Sequence, residues 1–253
     1  MENKLSVVIL TKNEEKMIQE CIKSVDWATE IIVIDSGSLD KTVALAKDSG
    51  AKVYEHLFKN FADAREFGKQ KAKYSWILYL DADERVTTAL KKEIELIINS
   101  KSVFGSFKIP RLNIFFGKAL RHGGWYPDYQ HRFFKKEALL SWQGIVHESP
   151  VVKGGVGVLV NNYVHFSHRS ITDGFTKSVI WTAMEARLLY DANHPKIGIM
   201  NLFKVTVVEF LDRIIFKLGF LDGSVGLLEG FIQAANKFLV YAQLWEKQQN
   251  SSR

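Results

Sequence analysis

The first hundred residues alternate short apolar runs with helical stripes, and no other feature of the chain constrains its fold as tightly. Leu5–Leu10, Ile31–Ile34, Lys52–Tyr54 and Trp76–Leu80 read as strands of buried type. Between them, Met17, Ile18, Cys21, Ile22 and Val25 mark one helix face. Asp35–Asp40 is a turn into a helix that ends at Gly50, and Asp63–Lys73 reads as another helix. Such alternation predicts an α/β fold built on a parallel, doubly wound sheet. Beyond it the pattern divides: residues 105–170 carry short strand-like pieces, glycines and aromatics, and residues 171–253 are helical, with helices expected near 171–193, 199–220 and 222–248.

With 253 residues, 47% apolar and 25% charged, the chain can bury a core and is neither disordered nor collagen-like. A single cysteine, Cys21, excludes an internal disulfide framework and a cysteine-rich zinc module, so the cytosol is the expected compartment. The start is too short and polar for a signal peptide, and Ile197–Leu221 is broken by Lys204, Glu209, Asp212, Arg213 and Lys217, so no membrane span is expected. The net charge of +6 is concentrated centrally, with eight basic against three acidic residues over 101–150. This block would concentrate an anionic partner or simply be a solvated face. It lacks a recognition helix or an aromatic RNA signature, so no nucleic acid is expected.

Ligands of open parallel sheets sit beyond the carboxyl ends of the strands. Three such ends carry polar loops here: Thr11-Lys-Asn-Glu14, Asp35-Ser-Gly-Ser38 and Asp81-Ala-Asp83. They should converge on one cleft. The pair Asp81 and Asp83 can hold a hard divalent cation and leave positions for phosphate oxygens. The plainer reading is a turn in which Asp83 or Thr87 caps the following helix. Asp35 can likewise make an Asx-type turn or accept from a base nitrogen. No Gly-x-Gly-x-x-Gly follows the first strand and no P-loop occurs, so a different nucleotide fold is required.

Ser6–Glu14, Ile31–Ser38 with Asp40 and Thr42, Ala64-Arg65 with Gly68, and Leu80–Glu84 together resemble a family 2 glycosyltransferase. His122–Asp128, Arg132-Phe-Phe, Val146-His-Glu148, His165, Arg169-Ser170 and Gly219–Gly223 resemble its lipopolysaccharide core β-1,4-glucosyltransferase subgroup. The resemblance implies a GT-A (Rossmann-like) domain with a C-terminal helical extension. Residues 1–104 would bind the nucleotide sugar, 105–170 the acceptor, and 171–253 would form the extension. It further implies a UDP-sugar donor, UDP-glucose in the first instance, a divalent metal (Mg or Mn) and inversion at the anomeric carbon. By resemblance, Thr11, Asn13 and Glu14 line the nucleotide pocket, Asp35 with Ser36 faces the base, Arg65 supports uridine and diphosphate, Asp81 meets ribose or sugar, and Asp83 binds metal with His165. Trp125, Tyr126 and Arg132 fall on the acceptor side. Lys12 stands where many members have an aromatic residue and Glu66 where asparagine is common.

Inverting transfer needs one carboxylate to take the acceptor hydroxyl proton. Glu148 and Asp128 are the two candidates, and the resemblance places the base at Glu148. The competing reading of Glu148 is a surface carboxylate paired with His147 or a lysine. His165 would be either a metal ligand or a packed strand residue, with His168 as a competitor. The stripe Met200, Phe203, Val207, Phe210, Leu211, Ile214 and Leu218 is amphipathic, a core or dimer contact or else a face lying on an anionic membrane. The expected acceptor is a lipopolysaccharide inner-core or other lipid-linked saccharide. A polyprenyl phosphate or capsular intermediate, and a non-catalytic sugar nucleotide or membrane-surface binding module, are the alternatives.

Overall fold

The computed structural model describes residues 4–144, 148–168 and 170–250. Val146, His147 and Arg169 of the sequence motifs lie outside the described residues. The elements run β1 (Leu5–Thr11), α1 (Ile18–Lys23), β2 (Glu30–Asp35), α2 (Thr42–Asp48), β3 (Lys52–Glu55), α3 (Phe61–Lys71), β4 (Trp76–Asp81), β5 (Glu84–Val86) and α4 (Thr88–Asn99). There follow β6 (Phe104–Phe115), β7 (Lys118–Ala119), β8 (Asp128–Lys135), β9 (Leu139–Gln143), β10 (Ser149–Val152), β11 (Gly155–Val158), β12 (Tyr163–His168), α5 (Ile171–Asp191), α6 (Ile199–Leu211) and α7 (Gly223–Asn250). The chain forms two compact units, Met1–Arg111 with Asp128–His165 and Leu112–Pro127 with Phe166–Arg253.

In the first unit, β3, β2, β1 and β4 pair in parallel in that order. β1 is buried along its whole length, which is why it reads as an unbroken apolar run. Alternate side chains supply the two faces. Val7, Ile9, Leu78 and Leu80 pack with Ile18, Cys21, Leu90 and Ile94, while Val8, Ile34, Ile77 and Tyr79 pack with Ala62, Ala64, Phe134 and Trp142. Each such aliphatic side chain contributes about 1.5–3 kcal/mol by burial. A Cβ on Gly68 would lie 2.5 Å from Val8 Cγ1, so α3 approaches β1 this closely only with glycine there.

The parallel arrangement stops at β4. The sheet continues β8, β6, β12, β5, and the pairs β4–β8, β8–β6 and β12–β5 are antiparallel. The twelve-residue β6 runs through Pro110, a residue uncommon inside sheets, which hid the strand in the sequence. Asn60 caps α3, its Oδ1 accepting from Asp63 N at 2.9 Å, and Thr87 caps α4, its Oγ1 accepting from Leu90 N at 3.2 Å.

The second unit has a small core of Ala186, Ile197, Leu202, Val240 and Leu244 beneath α5, α6 and α7. Two motifs far apart in sequence meet in it: Asp222 accepts from the backbone N–H groups of Arg121 and His122, both at 2.8 Å, and from the His122 ring. The amphipathic stripe is only partly core. Leu202 and Ile214 are buried, whereas Met200, Phe203 and Val207 are more than half exposed. No described helix is long and apolar enough to cross a membrane.

Candidate active site

The order of the parallel strands reverses direction at β1, with β2 on one side and β4 on the other, so the crevice for a ligand opens between the ends of β1 and β4. Leu10 stands in register with Asp81, and Thr11 with Asp35. The first two polar loops are laced together. Asn13 N donates to Ser38 Oγ, Leu39 N to Asn13 Oδ1 and Glu14 N to Thr42 Oγ1, each at 2.8 Å. Asn13 adopts a left-handed backbone with φ of 54°, a conformation asparagine tolerates better than most residues. Asp35 is buried and makes the Asx-type turn, accepting from Ser38 N at 2.8 Å and from the Ser38 hydroxyl. The buried Ser36 donates its N–H to Thr11 O at 3.0 Å. Thr11 Oγ1 is buried with no hydrogen-bond partner among the described residues.

At the end of β4 the chain gathers two carboxylates and two guanidiniums. Arg65, 1% exposed, donates from Nη2 to Asp81 Oδ1 at 3.1 Å and from Nε to Glu148 Oε1 at 3.0 Å. Arg132, 5% exposed, donates from Nη2 to Asp81 Oδ2 at 3.0 Å, with Nη1 3.9 Å from Glu148 Oε1. Tyr79 and Trp142 hold the Arg65 guanidinium against their rings. Burial opposes the charge of Arg65, but Asp81 and Glu148 outweigh it and raise its pKa. Burial, followed by the charge of Asp81, pushes the Glu84 carboxyl well above the usual range, and its Oε2 accepts from Asp81 N at 2.9 Å. Arg65 Nη1, Arg132 Nε, Arg132 Nη1 and Trp142 Nε1 are buried donors without a hydrogen-bond partner among the described residues. Unmatched buried donors are costly, and an anionic ligand would satisfy them.

Asp83 and His165 meet with Nε2 and Oδ2 3.6 Å apart. Thr87, not Asp83, is the cap of α4. Neighbouring ligands of an octahedral Mg²⁺ lie about 3 Å apart for bonds of about 2.1 Å. At 3.6 Å the pair is wider than that spacing, so the two side chains stand as an ion pair and would have to draw together to share one ion. Among the described residues no cluster of three or more His, Cys, Asp or Glu gathers for a metal.

The two base candidates differ in their surroundings. Both oxygens of Asp128 are taken: Oδ2 accepts from Arg111 Nε at 2.7 Å and Oδ1 from Gln130 Nε2 at 2.6 Å. Glu148 is not a surface carboxylate paired with a lysine, since its side chain is 17% exposed and Arg65 holds Oε1. Arg132, expected on the acceptor side, binds Asp81, expected on the donor side, and so joins the two. Trp125 and Tyr126 belong to the other unit, where Trp125 lies against Phe115 and the Arg213 guanidinium. Sequence reasoning missed Trp142 and His131, and reached Glu84 only as the end of a motif and Lys108 only as part of the basic block. Period-two spacing puts Asp128, Gln130 and Arg132 on one face of β8 and His131 on the other, which was the available signal for that strand.

The family model for glycosyl transferase family 2 matches residues 6–154, which spans Arg65, Asp81, Asp83, Arg132 and Glu148 but not His165. The chain belongs to that family. This family 2 glycosyltransferase is 29% identical over 258 residues to an uncharacterized glycosyltransferase of Rickettsia felis, covering 96% of the chain and 90% of the relative. It is 26% identical to the lipopolysaccharide core biosynthesis glycosyltransferase LpsC of Rhizobium meliloti, covering 96% and 92%. A shorter match to an uncharacterized glycosyltransferase of Rickettsia bellii reaches 41% over 103 residues, or 40% of the chain and 35% of that relative. Among solved structures, glucosyl-3-phosphoglycerate synthase of Mycobacterium tuberculosis aligns with a TM-score of 0.50 at 18% identity, over 77% of this chain and 82% of that one. The GT-A fold with a helical C-terminal region is thus the fold found.

Proposed function

We propose that the chain transfers a sugar, glucose from UDP-glucose in the first instance, with inversion onto a lipopolysaccharide inner-core or other lipid-linked saccharide. The observation that carries this reading is the cluster of the buried Arg65 and Arg132 with the half-buried Asp81 and Glu148, with unmatched guanidinium donors at the carboxyl end of the sheet. Arg65 supplies positive charge where a diphosphate leaving group accumulates negative charge. Glu148 is fixed through Oε1. Its Oε2 accepts the proton of the acceptor hydroxyl, the hydroxyl oxygen bonds to the anomeric carbon, and the bond from that carbon to the diphosphate breaks with the electron pair leaving on UDP. Asp83 and His165 would hold a divalent cation, which when bound supplies further charge neutralisation for the diphosphate. The resemblance of the chain to a lipopolysaccharide core transferase, LpsC, supports the acceptor class.

A lipid-linked acceptor also accounts for the exposed apolar face of α6, flanked by the exposed Lys196 and Lys204. Such a face suits the interfacial region of an anionic membrane. The direct test is incubation of the protein and Mn²⁺ with labelled UDP-glucose and truncated lipopolysaccharide acceptors. Label recovered on the acceptor in β linkage is expected. UDP binding with no transfer to any core, polyprenyl phosphate or capsular acceptor would instead favour a binding module.

A further inference from the structure

Beside Glu148 the first unit contains a cavity of about 320 Å³. Its wall includes Lys108, Gln130, His131, Arg132, Trp142 and Glu148. That volume lies at the small end of ligand sites, about 300–1,000 Å³, and suits one sugar ring with a substituent. The charges on the wall do not cancel. The single carboxylate among these residues, Glu148, is already matched by Arg65. Arg132 spends Nη2 on Asp81 and has Nη1 3.9 Å from Glu148 Oε1, but neither its Nε nor its Nη1 makes a hydrogen bond with any described residue. Lys108 makes no ion pair with any described residue. Gln130 directs its amide to Asp128 and so adds no negative charge.

His131 records the same imbalance. Its ring stacks on Phe134 at 4.8 Å and its Nε2 is buried without a partner among the described residues. Burial, and then the charge of Lys108, lower its pKa to about 4. The histidine is therefore neutral at physiological pH and can hydrogen-bond a ligand without adding charge.

We infer that this cavity is an acceptor subsite for a saccharide bearing an acidic group, a carboxylate or a phosphate, held by Lys108 and Arg132 next to the Glu148 base. The inference rests on the transferase reading above and deepens it. Arg132 gives the acid directional hydrogen bonds in a low-dielectric wall, and Lys108 gives it a point charge. A neutral sugar would leave the Arg132 donors unmatched, which is a source of discrimination against it.

Equilibrium binding tests this without turnover. With the donor site saturated by UDP and Mn²⁺, calorimetric titrations compare methyl glucuronide, glucose 6-phosphate and methyl glucoside on the parent protein and on Lys108→Ala, an exposed substitution checked for folding by circular dichroism. At least one acidic sugar should bind tenfold or more tightly than methyl glucoside, and that preference should shrink several-fold in Lys108→Ala. The tighter of the two acidic sugars identifies carboxylate or phosphate as the natural group. Inorganic phosphate binding as tightly as the better acidic sugar would reduce the cavity to a general anion trap and overturn the inference. So would equal binding of acidic and neutral sugars, or a preference untouched by Lys108→Ala. UDP affinity, read separately, reports on the donor site. Its absence together with a retained acidic preference would remove the transferase reading and leave the anionic subsite in place.

Discussion

Arg65 and Glu148 lie 83 positions apart in the chain and meet at 3.0 Å, through the guanidinium Nε and the carboxylate Oε1. The same guanidinium holds Asp81, so one buried cation on α3 fixes a carboxylate from β4 and another from the segment before β10. Removing it would strand two carboxylates beside Arg132 alone. Arg65→Met is expected to destabilise the protein by about 3–5 kcal/mol, the usual cost of breaking a buried pair. Urea unfolding measures this. Arg65→Lys should recover part of the stability without the forked geometry, and hence without normal UDP affinity. A Met variant within about 1 kcal/mol of the parent would show that the pair is not structural, against the benchmark for buried pairs.

Asp83→Asn should abolish Mn²⁺-dependent UDP binding, and His165→Ala should weaken it, with calorimetry in the presence and absence of MnCl₂ as the measurement. Since Thr87 carries the cap of α4, Asp83→Asn should not show the cost of about 1 kcal/mol typical of a lost cap. A variant that melts earlier yet binds UDP and Mn²⁺ as before would move the metal elsewhere.

The pKa of His131 lies at about 4, below the value of about 6.5 expected in an unfolded chain. Between those values the unfolded chain binds a proton that the folded protein does not. Stability from this group is therefore complete above about pH 6.5 and declines as pH falls towards 4. Chemical-shift titration of the His131 ring should give a midpoint near 4 in the parent and a higher one in Lys108→Ala, since burial and Lys108 are the two causes. A parent midpoint near 6.5 would show that neither acts.

The parallel half of the fold was legible because β1, β2 and β4 are buried along nearly their whole length and so print as continuous apolar runs. The polar loops that follow them could be placed by the same reasoning. The antiparallel half was not legible, because Pro110, Lys108 and Arg111 interrupt β6 and no period-two run survives. Partners were hidden for a different reason. Nothing in the spacing of Arg65, Asp81, Arg132 and Glu148 announces that they join, since their meeting depends on β8 pairing against β4. The stripe of α6 shows the converse limit: periodicity revealed an apolar face but not what it faces, and Met200, Phe203 and Val207 prove exposed.

That exposed face carries a prediction of its own. Flotation with vesicles containing anionic lipid should recover the protein at low salt and lose much of it at high salt, because each cation near the surface adds about 1 kcal/mol that salt screens. Phe203→Ser, at a position 61% exposed, should weaken recovery without lowering the melting temperature. Absence of binding at low salt would assign the face to another partner, with a second copy of the chain as the first alternative to examine by sedimentation.

The base assignment is the sharpest consequence of the site geometry. Asp128 has Arg111 on one oxygen and Gln130 on the other, so neither is placed to take a proton without breaking an existing bond. Glu148 spends Oε1 on Arg65, and Oε2 is the atom assigned to the acceptor proton. Glu148→Gln keeps the shape and an oxygen for Arg65 but cannot accept the proton. It should lower kcat by about 10²- to 10⁴-fold with little change in UDP affinity. Asp128→Asn breaks a charged pair with Arg111 and should cost stability, with transfer at saturating donor reduced far less than in Glu148→Gln. Single-turnover rates on an acceptor, alongside melting temperatures, separate the two effects. If Asp128→Asn eliminates transfer while Glu148→Gln stays within a few-fold of the parent, Asp128 is the base and Glu148 serves to fix Arg65.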